Sequence, residues 1–562
     1  MASPEVRSSD HSSSTFLYVV KSMMGCGAAT VRAWLCVLLL ATLGQGTGIK
    51  ARFSVATTDG VIIGHLAPRV HDVVEYLGIP YAQPPIGQLR FAAPLPPDQQ
   101  RVHEAVEWVD CRLLPRGKLA TILSLSLTLS SDCPQTVAKP VNFPNFTPQA
   151  QGIINAFAGG QGTQQSEDCL TLNIWSPPMR PYGKKQPVLV FFHGGRFSIG
   201  NAHSSFYNGS RFAEATGAVI VTLTYRLNVF GFPGAPGGTQ NLGLRDQRRA
   251  VEWVHSNIAG FGGDESKITV FGQSSGGVAV DWWTFAYKDQ PLVNGIISES
   301  GNAFSFPLNP VATQTKNWYN VSATLGCGAS GDTIDCVRSK YWTDVLAASA
   351  KLPATPGGNP VRSTPAFYPT VDNETVFTGY KSLLAQGRFA KIPQLLGNNN
   401  REQGYYVIPA YGRGINTTEA QGQQFLLESF TCANDYEARA RTSQGVPVWQ
   451  YRFFADWNNT RLYPTSGAYH GTELEMLFGN SVDVSGIPPE PAQVQLTKVM
   501  QKAWVAFAND PKEGLRKHGW PRFDPTAMTL IRLGYENSAV PNFVLPSTYS
   551  AGCGNVTLPG GQ

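Results

Sequence analysis

The order of apolar and helical segments after about residue 187 constrains the fold of this chain more than any other feature. Residues 187 to 192 and 218 to 223 are unbroken apolar runs, which are typical of strands buried on both faces of a sheet. Residues 242 to 259 place their apolar side chains on one stripe, as an amphipathic helix does. This alternation predicts an α/β fold with a mostly parallel sheet flanked by helices, and a ligand site at the carboxyl ends of the strands.

A serine lies where one of these strands is expected to end. The segment FGQSSGG, residues 271 to 277, follows an apolar, β-branched run and precedes a helix expected to begin near Ser275. In a chain with 57 glycines, a Gly-x-Ser-x-Gly match alone is weak. Between a strand and a helix it is stronger, because a nucleophile elbow needs small residues on both sides of the serine, here Gly272 and Gly276. We therefore expect Ser274 to be a catalytic nucleophile.

A serine hydroxyl needs a base that takes its proton and an acid that orients the base. In hydrolases with this type of sheet, the acid and then the histidine follow the serine, which leaves His470 and His518 as candidate bases. His518 lies in a charged stretch and is expected to face solvent, so the glycine-flanked His470 is favoured. For the acid, Glu402 and Asp372 both lie in suitable segments, and spacing alone does not choose between them.

Backbone N–H donors are also needed beside the nucleophile, to stabilise the tetrahedral intermediate of acyl transfer. The segment FFHGGRF, residues 191 to 197, ends a predicted strand and resembles an HGGG-type loop. We expect the N–H groups of Gly195 and Arg196 to form this oxyanion hole, completed by the N–H of Ser275. Arg196 stands where a third glycine is common, so its side chain must point away from the acyl pocket or narrow it.

These motifs, in this order, resemble the type-B carboxylesterase/lipase family, which includes cholinesterases and secreted fungal esterases and lipases. The resemblance runs from about residue 53 to 553 and rests on the segments YLGIPYAQPPIGQLRF, SEDCLTLNIW, HGGRF, NLGLRDQRRAVEWVHSNIAGFGGD, FGQSSGG, ISESG, GNNNREQG and GAYHGTELEMLFG. It implies the α/β-hydrolase fold and a small-molecule or lipid ester as the substrate, without a cofactor. The pattern is closest to that of secreted fungal carboxylic ester hydrolases.

The resemblance also assigns residues that the spacing leaves open. The family's triad acid is a glutamate in a Gly-x-Asn-x-x-Glu pattern, which matches Gly397, Asn399 and Glu402. Ser300, in ISESG, is similar to a buried serine beside the family's triad. The implied disulfides are Cys133–Cys169, Cys327–Cys336 and Cys432–Cys553.

Cys111 is then the unpaired cysteine, and it begins a segment that the family pattern lacks. Our hypothesis is that residues near 112 to 132 are a translated intron, and the alternative is a genuine surface insertion. Transcript sequencing distinguishes the two.

An apolar core at residues 33 to 43 follows a basic residue and precedes small residues, which predicts a signal peptide over residues 1 to 46. An uncleaved anchor is the alternative, although the core is short for a membrane span. The true start is expected at Met23 or Met24, because the residues before it are unusually polar for such a signal. Residues 47 to 562 are then expected to form one secreted, extracellular α/β-hydrolase domain.

Glycosylation sequons agree with secretion, and they lie at Asn145, Asn208, Asn320, Asn373, Asn416, Asn458 and Asn555.

The formal net charge of +5 is spread along the chain without a basic block and gives no reason to expect a nucleic-acid partner. HGTELE lacks the paired histidines of a helical zinc site, so no metal is expected. No tryptophan lies between Cys133 and Cys169, where cholinesterases carry their choline-stacking ring, so quaternary ammonium substrates are disfavoured.

The sequence thus predicts a serine carboxylic ester hydrolase, either an esterase or a lipase, with an acyl-enzyme intermediate. Fold does not fix function, so a non-catalytic binding or adhesion protein on the same fold is the alternative. An acyltransferase that uses the same covalent intermediate is a third possibility.

Overall fold

The computed structural model describes residues 53–98, 102–104, 130–137, 139–160, 162, 164–178 and 183–561. The predicted signal peptide, Cys111 and all but the last three residues of the 112 to 132 segment lie outside the described residues. Within the described ranges, no helix is both long and apolar enough to cross a membrane.

The strands belong to one large sheet and two small ones. In chain order they are β1 (Ser54–Thr57), β2 (Gly60–Ile63), β3 (His65–Leu66), β4 (Val74–Pro80), β5 (Val102–Glu104), β6 (Thr171–Ser176), β7 (Gln186–Phe192), β8 (Val219–Leu223), β9 (Gly263–Gln273), β10 (Gly295–Glu299), β11 (Thr355–Pro356), β12 (Ser363–Thr364), β13 (Gln394–Asn399), β14 (Val448–Phe453), β15 (Leu530–Leu533) and β16 (Asn542–Val544).

The large sheet has 11 strands in the order β16-β15-β14-β13-β10-β9-β7-β8-β6-β4-β3. From β15 through to β8 the neighbouring strands pair parallel, and the antiparallel pairs lie toward the two edges. The carboxyl ends of the parallel strands therefore meet at one edge of the sheet, where a ligand site is expected.

Helices connect and flank these strands. They are α1 (Ala150–Phe157), α2 (Ser210–Thr216), α3 (Asn228–Gly231), α4 (Leu242–Asn257), α5 (Ser275–Ala286), α6 (Val311–Thr324), α7 (Ile334–Arg338), α8 (Trp342–Ser349), α9 (Tyr380–Ala385), α10 (Gln403–Gly412), α11 (Glu419–Leu426), α12 (Cys432–Ser443), α13 (Thr472–Leu477), α14 (Ser481–Ser485), α15 (Pro491–Asn509), α16 (Gly514–Lys517) and α17 (Ser547–Ser550).

The predicted α/β fold class is confirmed, and β7 shows why its sequence is so apolar. Val188, Val190 and Phe192 pack into one apolar cluster, whereas Leu189 and Phe191 pack into another on the opposite face of the sheet. A strand covered on both faces has no side that benefits from polar residues.

Three disulfides close loops around this core, with the pairing that the resemblance implies. Cys133–Cys169 closes the loop that contains α1, and Cys327–Cys336 joins the region after α6 to α7. Cys432–Cys553 ties the last described segment to α12.

Candidate active site

Ser274 lies on a sharp turn between β9 and α5, at the carboxyl edge of the sheet. Its φ and ψ are 59° and −123°, a conformation that costs free energy for any residue but glycine. The turn is crowded: a Cβ on Gly272 would lie 2.6 Å from the carbonyl carbon of Gly276, and a Cβ on Gly276 would collide with the carbonyl oxygen of Phe192. Both glycines are therefore required by contact, as expected for a nucleophile elbow.

His470 and Glu402 form a tight buried pair beside this turn. The Nδ1 atom of His470 lies 2.6 Å from Oε2 of Glu402. The other carboxylate oxygen accepts hydrogen bonds from the Ser300 hydroxyl and from the Asn399 N–H, both at 2.7 Å. Because a carboxylate accepts, Nδ1 carries the proton and Nε2 is left as the basic nitrogen.

The rival candidates lie elsewhere. Asp372 accepts hydrogen bonds from the backbone of its own turn, including the N–H groups of Thr375 and Val376, and it forms an ion pair with Arg245. His518 is exposed on the surface. Of the residues that sequence analysis weighed, the structure thus brings together Ser274, Glu402 and His470.

Tyr406 was missed by sequence analysis, although its hydroxyl lies between the nucleophile and the base. Its oxygen lies 3.1 Å from Nε2 of His470, and a hydrogen bond with Ser274 also acts on its pKa. The amide nitrogen of Gln273 is the other polar neighbour of Nε2, also at 3.1 Å. In the described part of the chain no direct hydrogen bond joins Ser274 to His470, and the Tyr406 hydroxyl contacts the histidine instead. The one available signal was its position four residues after Glu402, one helical turn away.

The predicted oxyanion loop follows β7. Gly195 and Arg196 have φ values of 103° and 60°, and within the described residues their N–H groups donate to no protein acceptor. Two hydrogen bonds fix the loop at its ends. The Tyr225 hydroxyl donates to the carbonyl of His193 at 2.8 Å, and the N–H of Phe197 donates to the Ser275 hydroxyl at 3.3 Å. The free N–H groups are thus fixed close to the nucleophile.

Two further buried carboxyl groups lie behind the pair. Burial and the negative charge of Glu402 raise the pKa of Glu473 to about 8, and its carboxyl accepts from the side-chain amide of Asn399. Burial also raises the pKa of Glu299, which accepts from Trp504 Nε1 at 2.8 Å. At neutral pH Glu473 is therefore mainly protonated, and it adds little negative charge behind His470.

A narrow cavity opens beside Ser274. Its walls are mostly apolar or aromatic, with Tyr406, Tyr368, Phe306, Phe425 and Val361 among them. An organic group bonded to a carbonyl at Ser274 would therefore enter an environment that favours apolar substituents.

A second serine–histidine–aspartate chain lies at the start of the loop closed by Cys133–Cys169. The Nε2 atom of His203 lies 2.8 Å from the Ser130 hydroxyl, and Nδ1 lies 2.7 Å from Oδ1 of Asp132. The Ser130 hydroxyl is also 2.8 Å from that of Thr171 on β6. Sequence analysis did not find this cluster, because His203 precedes Ser274 and fails the expected order.

The fold is that of the α/β-hydrolase class, and it places Ser274 beside the buried pair of Glu402 and His470. The carboxylesterase family model matches residues 51–110, 126–429 and 420–550. The chain belongs to this family and is a carboxylic ester hydrolase, which confirms the family predicted from the sequence.

Individual relatives agree with this assignment. The chain is 31% identical to Secreted lipase 5 of Gibberella zeae, over 87% of this chain and 91% of the relative. It is 31% identical to a chlorogenic acid esterase of Aspergillus niger, over 82% and 83% of the two chains. A solved PNB esterase structure is similar with a TM-score of 0.69 at 25% identity, over 88% of this chain and 97% of the other.

Proposed function

We propose that the chain is a secreted serine carboxylic ester hydrolase that works through an acyl-enzyme on Ser274. The observation that carries the proposal is the hydrogen-bonded relay from Glu402 to His470, which lies at a nucleophile elbow beside unpaired N–H groups and a cavity.

In the first step the Ser274 oxygen attacks the ester carbonyl carbon, and Nε2 of His470 accepts the hydroxyl proton. The protonated imidazole is stabilised by Glu402, whose carboxylate accepts three hydrogen bonds and is thereby held in place. The catalytic serine–histidine hydrogen bond commonly tightens only in the complex with substrate.

The N–H groups of Gly195, Arg196 and Ser275 stabilise the negative oxygen of the tetrahedral intermediate. When that intermediate collapses, His470 returns the proton to the leaving alkoxide, and the acyl group stays on Ser274. Water then attacks the acyl-enzyme by the same relay and releases the carboxylic acid.

Secretion is supported by the three disulfides, which persist in oxidising compartments. Six sequon asparagines are exposed and Asn208 is half-buried; the exposed ones are Asn145, Asn320, Asn373, Asn416, Asn458 and Asn555. N-terminal sequencing of the protein from culture medium tests the predicted cleavage near residue 46, and an intact leader on the exported protein would contradict it.

The enzymatic proposal is tested with p-nitrophenyl esters from acetate to palmitate, together with a triglyceride and chlorogenic acid. We expect wild type to hydrolyse part of this panel and Ser274→Ala to lose that activity by at least about a thousandfold. An organophosphate ester should label Ser274 in peptide mass mapping. Activity that survives in Ser274→Ala, or a label on another serine, would overturn the assignment, and faster transfer to an added alcohol than to water would identify an acyltransferase.

A further inference from the structure

Arg196 places a positive charge in the wall of the active-site cavity. The residue follows Gly195 in the oxyanion loop and lines the cavity together with Ser274 and Tyr406. Its charge reaches the surrounding side chains: it opposes the rise in the pKa of Tyr405, Tyr406 and Tyr368 that burial causes. The guanidinium is thus close to the space that a substrate would fill.

This charge has no counter-ion in the described part of the chain. Arg196 donates through Nη2 to the carbonyl and, at 3.0 Å, to the hydroxyl of Ser363 on β12, and it forms no ion pair with Asp or Glu among the described residues. Those bonds hold the guanidinium in place, while Nη1 and Nε make no hydrogen bond within the same ranges. A half-buried guanidinium is always charged, so an unpaired one favours an anionic ligand.

A second guanidinium lies in the same wall. Arg362 has a side chain that is only 9% exposed and is paired with Glu428 at 2.8 Å, but its buried Nε has no acceptor in the described structure. No aspartate or glutamate is among the described residues that line the cavity. The cavity wall is therefore positively charged as well as apolar.

We propose that this site prefers esters that carry a carboxylate group, with Arg196 as the residue that binds it. The inference rests on the proposed ester hydrolysis and adds the substrate class. A carboxylate can pair with two N–H groups of a guanidinium, a geometry that also fixes the orientation of the ester relative to Ser274. Since the cavity excludes much of the solvent, this pair would be stronger than one on the open surface.

The test compares matched anionic and neutral esters. On the acyl side the pair is monoethyl adipate and ethyl hexanoate, and on the alcohol side it is para-acetoxybenzoate and para-acetoxybenzamide. We expect kcat/KM for the anionic member of at least one pair to exceed that of the neutral member by about tenfold or more, and added salt to reduce the ratio. The pair that shows the preference identifies the side of the ester that carries the charge.

Variants at Arg196 and Ser363 test whether the charge of Arg196 binds the substrate or whether its side chain only supports the oxyanion loop. Arg196→Gln keeps the backbone N–H but removes the charge, and we expect it to abolish the preference, whereas Arg196→Lys keeps a cation and should retain part of it. Ser363→Ala is the matched control, because it removes a hydrogen-bond acceptor of Arg196 without altering the charge, and the ratio should persist.

Three outcomes overturn the inference, and the last of them can be told apart from the first two. If wild type hydrolyses the neutral esters through Ser274 without any anionic preference, or if Arg196→Gln slows both members of each pair equally, this inference is wrong and the esterase proposal stands. If no ester is hydrolysed by wild type, both are wrong.

Discussion

Two groups of a serine, a histidine and a carboxylate lie among the described residues, and their histidine–acid hydrogen bonds have almost the same length. In the first, the histidine–acid distance between His470 and Glu402 is 2.6 Å, and in the second, between His203 and Asp132, it is 2.7 Å. The surroundings differ. Ser274 sits on a strained elbow beside free N–H groups and a cavity, whereas Ser130 is hydrogen-bonded to Thr171 next to a disulfide-closed loop.

The difference shows that a chain of hydrogen bonds does not by itself make a catalytic site. Nucleophilic catalysis also needs space for the substrate and donors at the position where negative charge develops. We interpret the second cluster as a structural one, which fixes the start of the loop at Cys133 to the segment after β7. The following variants test this division of roles, from the largest expected effect to the smallest.

The largest effect is expected for the active-site histidine. We expect His470→Ala to lower kcat/KM for p-nitrophenyl butyrate by at least about a thousandfold, because no base remains to take the proton of Ser274. Rates are measured per folded molecule. His203→Ala, made in parallel, should retain kcat/KM within about threefold, and a comparable loss in both variants would show that the two clusters cooperate in catalysis.

The second cluster should instead govern stability. His203→Ala leaves Asp132 buried without its partner, since both side chains are at most 3% exposed. Leaving a buried hydrogen-bonding group without its partner typically costs up to roughly 3 kcal/mol, so we expect a loss of that order in the free energy of unfolding by urea. The double variant His203→Ala/Asp132→Ala should recover part of it. An unchanged free energy in the single variant would refute the structural role.

The comparison also shows what the sequence could predict. Gly272 and Gly276 could be predicted because they flank the serine at a fixed spacing between a strand and a helix, although the contact that excludes a Cβ on Gly276 is made with Phe192 on β7. Glu402 was predicted as the triad acid only because its segment resembles the family's glutamate pattern, since spacing alone did not favour it over Asp372. The His203 cluster depends on long-range contacts between side chains, for which the sequence contains no periodic or spacing signal, and Tyr406 offered only its spacing of four residues from Glu402.

The buried carboxyl of Glu473, behind Glu402 and His470, should make the free energy of unfolding depend on pH. Its pKa is about 8 in the folded chain against an ordinary value of 4.5, so between these pH values the unfolded chain releases the proton more readily. The stability linked to this group is therefore complete below about pH 4.5 and is lost as the pH rises toward 8. Glu473→Gln imitates the protonated carboxyl and cannot titrate. We therefore expect the difference in free energy of unfolding between this variant and wild type to change by about 3 kcal/mol in favour of the variant as the pH rises from 5 to 8.

The exposed Glu490→Gln is the control for that measurement and should show no such change with pH. A constant difference between Glu473→Gln and wild type across this range would contradict the raised pKa.

A smaller effect is expected at Tyr406, whose hydroxyl lies 3.1 Å from Nε2 of His470. Tyr406→Phe keeps the ring but removes the hydroxyl that contacts His470 and Ser274. One hydrogen bond is worth about 1 kcal/mol, so we expect kcat to fall about fivefold with little change in KM. Tyr405→Phe is the matched control on the adjacent residue. A rise in kcat would mean that the hydroxyl competes with Ser274 for the imidazole instead of aligning it.

The smallest effect, and the sharpest contrast with Ser274, is expected for Ser130→Ala. The variant removes a hydroxyl that lies as close to a histidine nitrogen as a nucleophile should, yet we expect kcat/KM to stay within about twofold of wild type. The free energy of unfolding should fall by about 1 kcal/mol, because Nε2 of His203 loses one hydrogen-bond partner. Ester hydrolysis and urea unfolding are measured on the same preparation. A loss of activity in folded Ser130→Ala would refute the division of roles, since only Ser274 is placed on a strained turn beside free N–H donors and a cavity, whereas the Ser130 hydroxyl is hydrogen-bonded to His203 and Thr171.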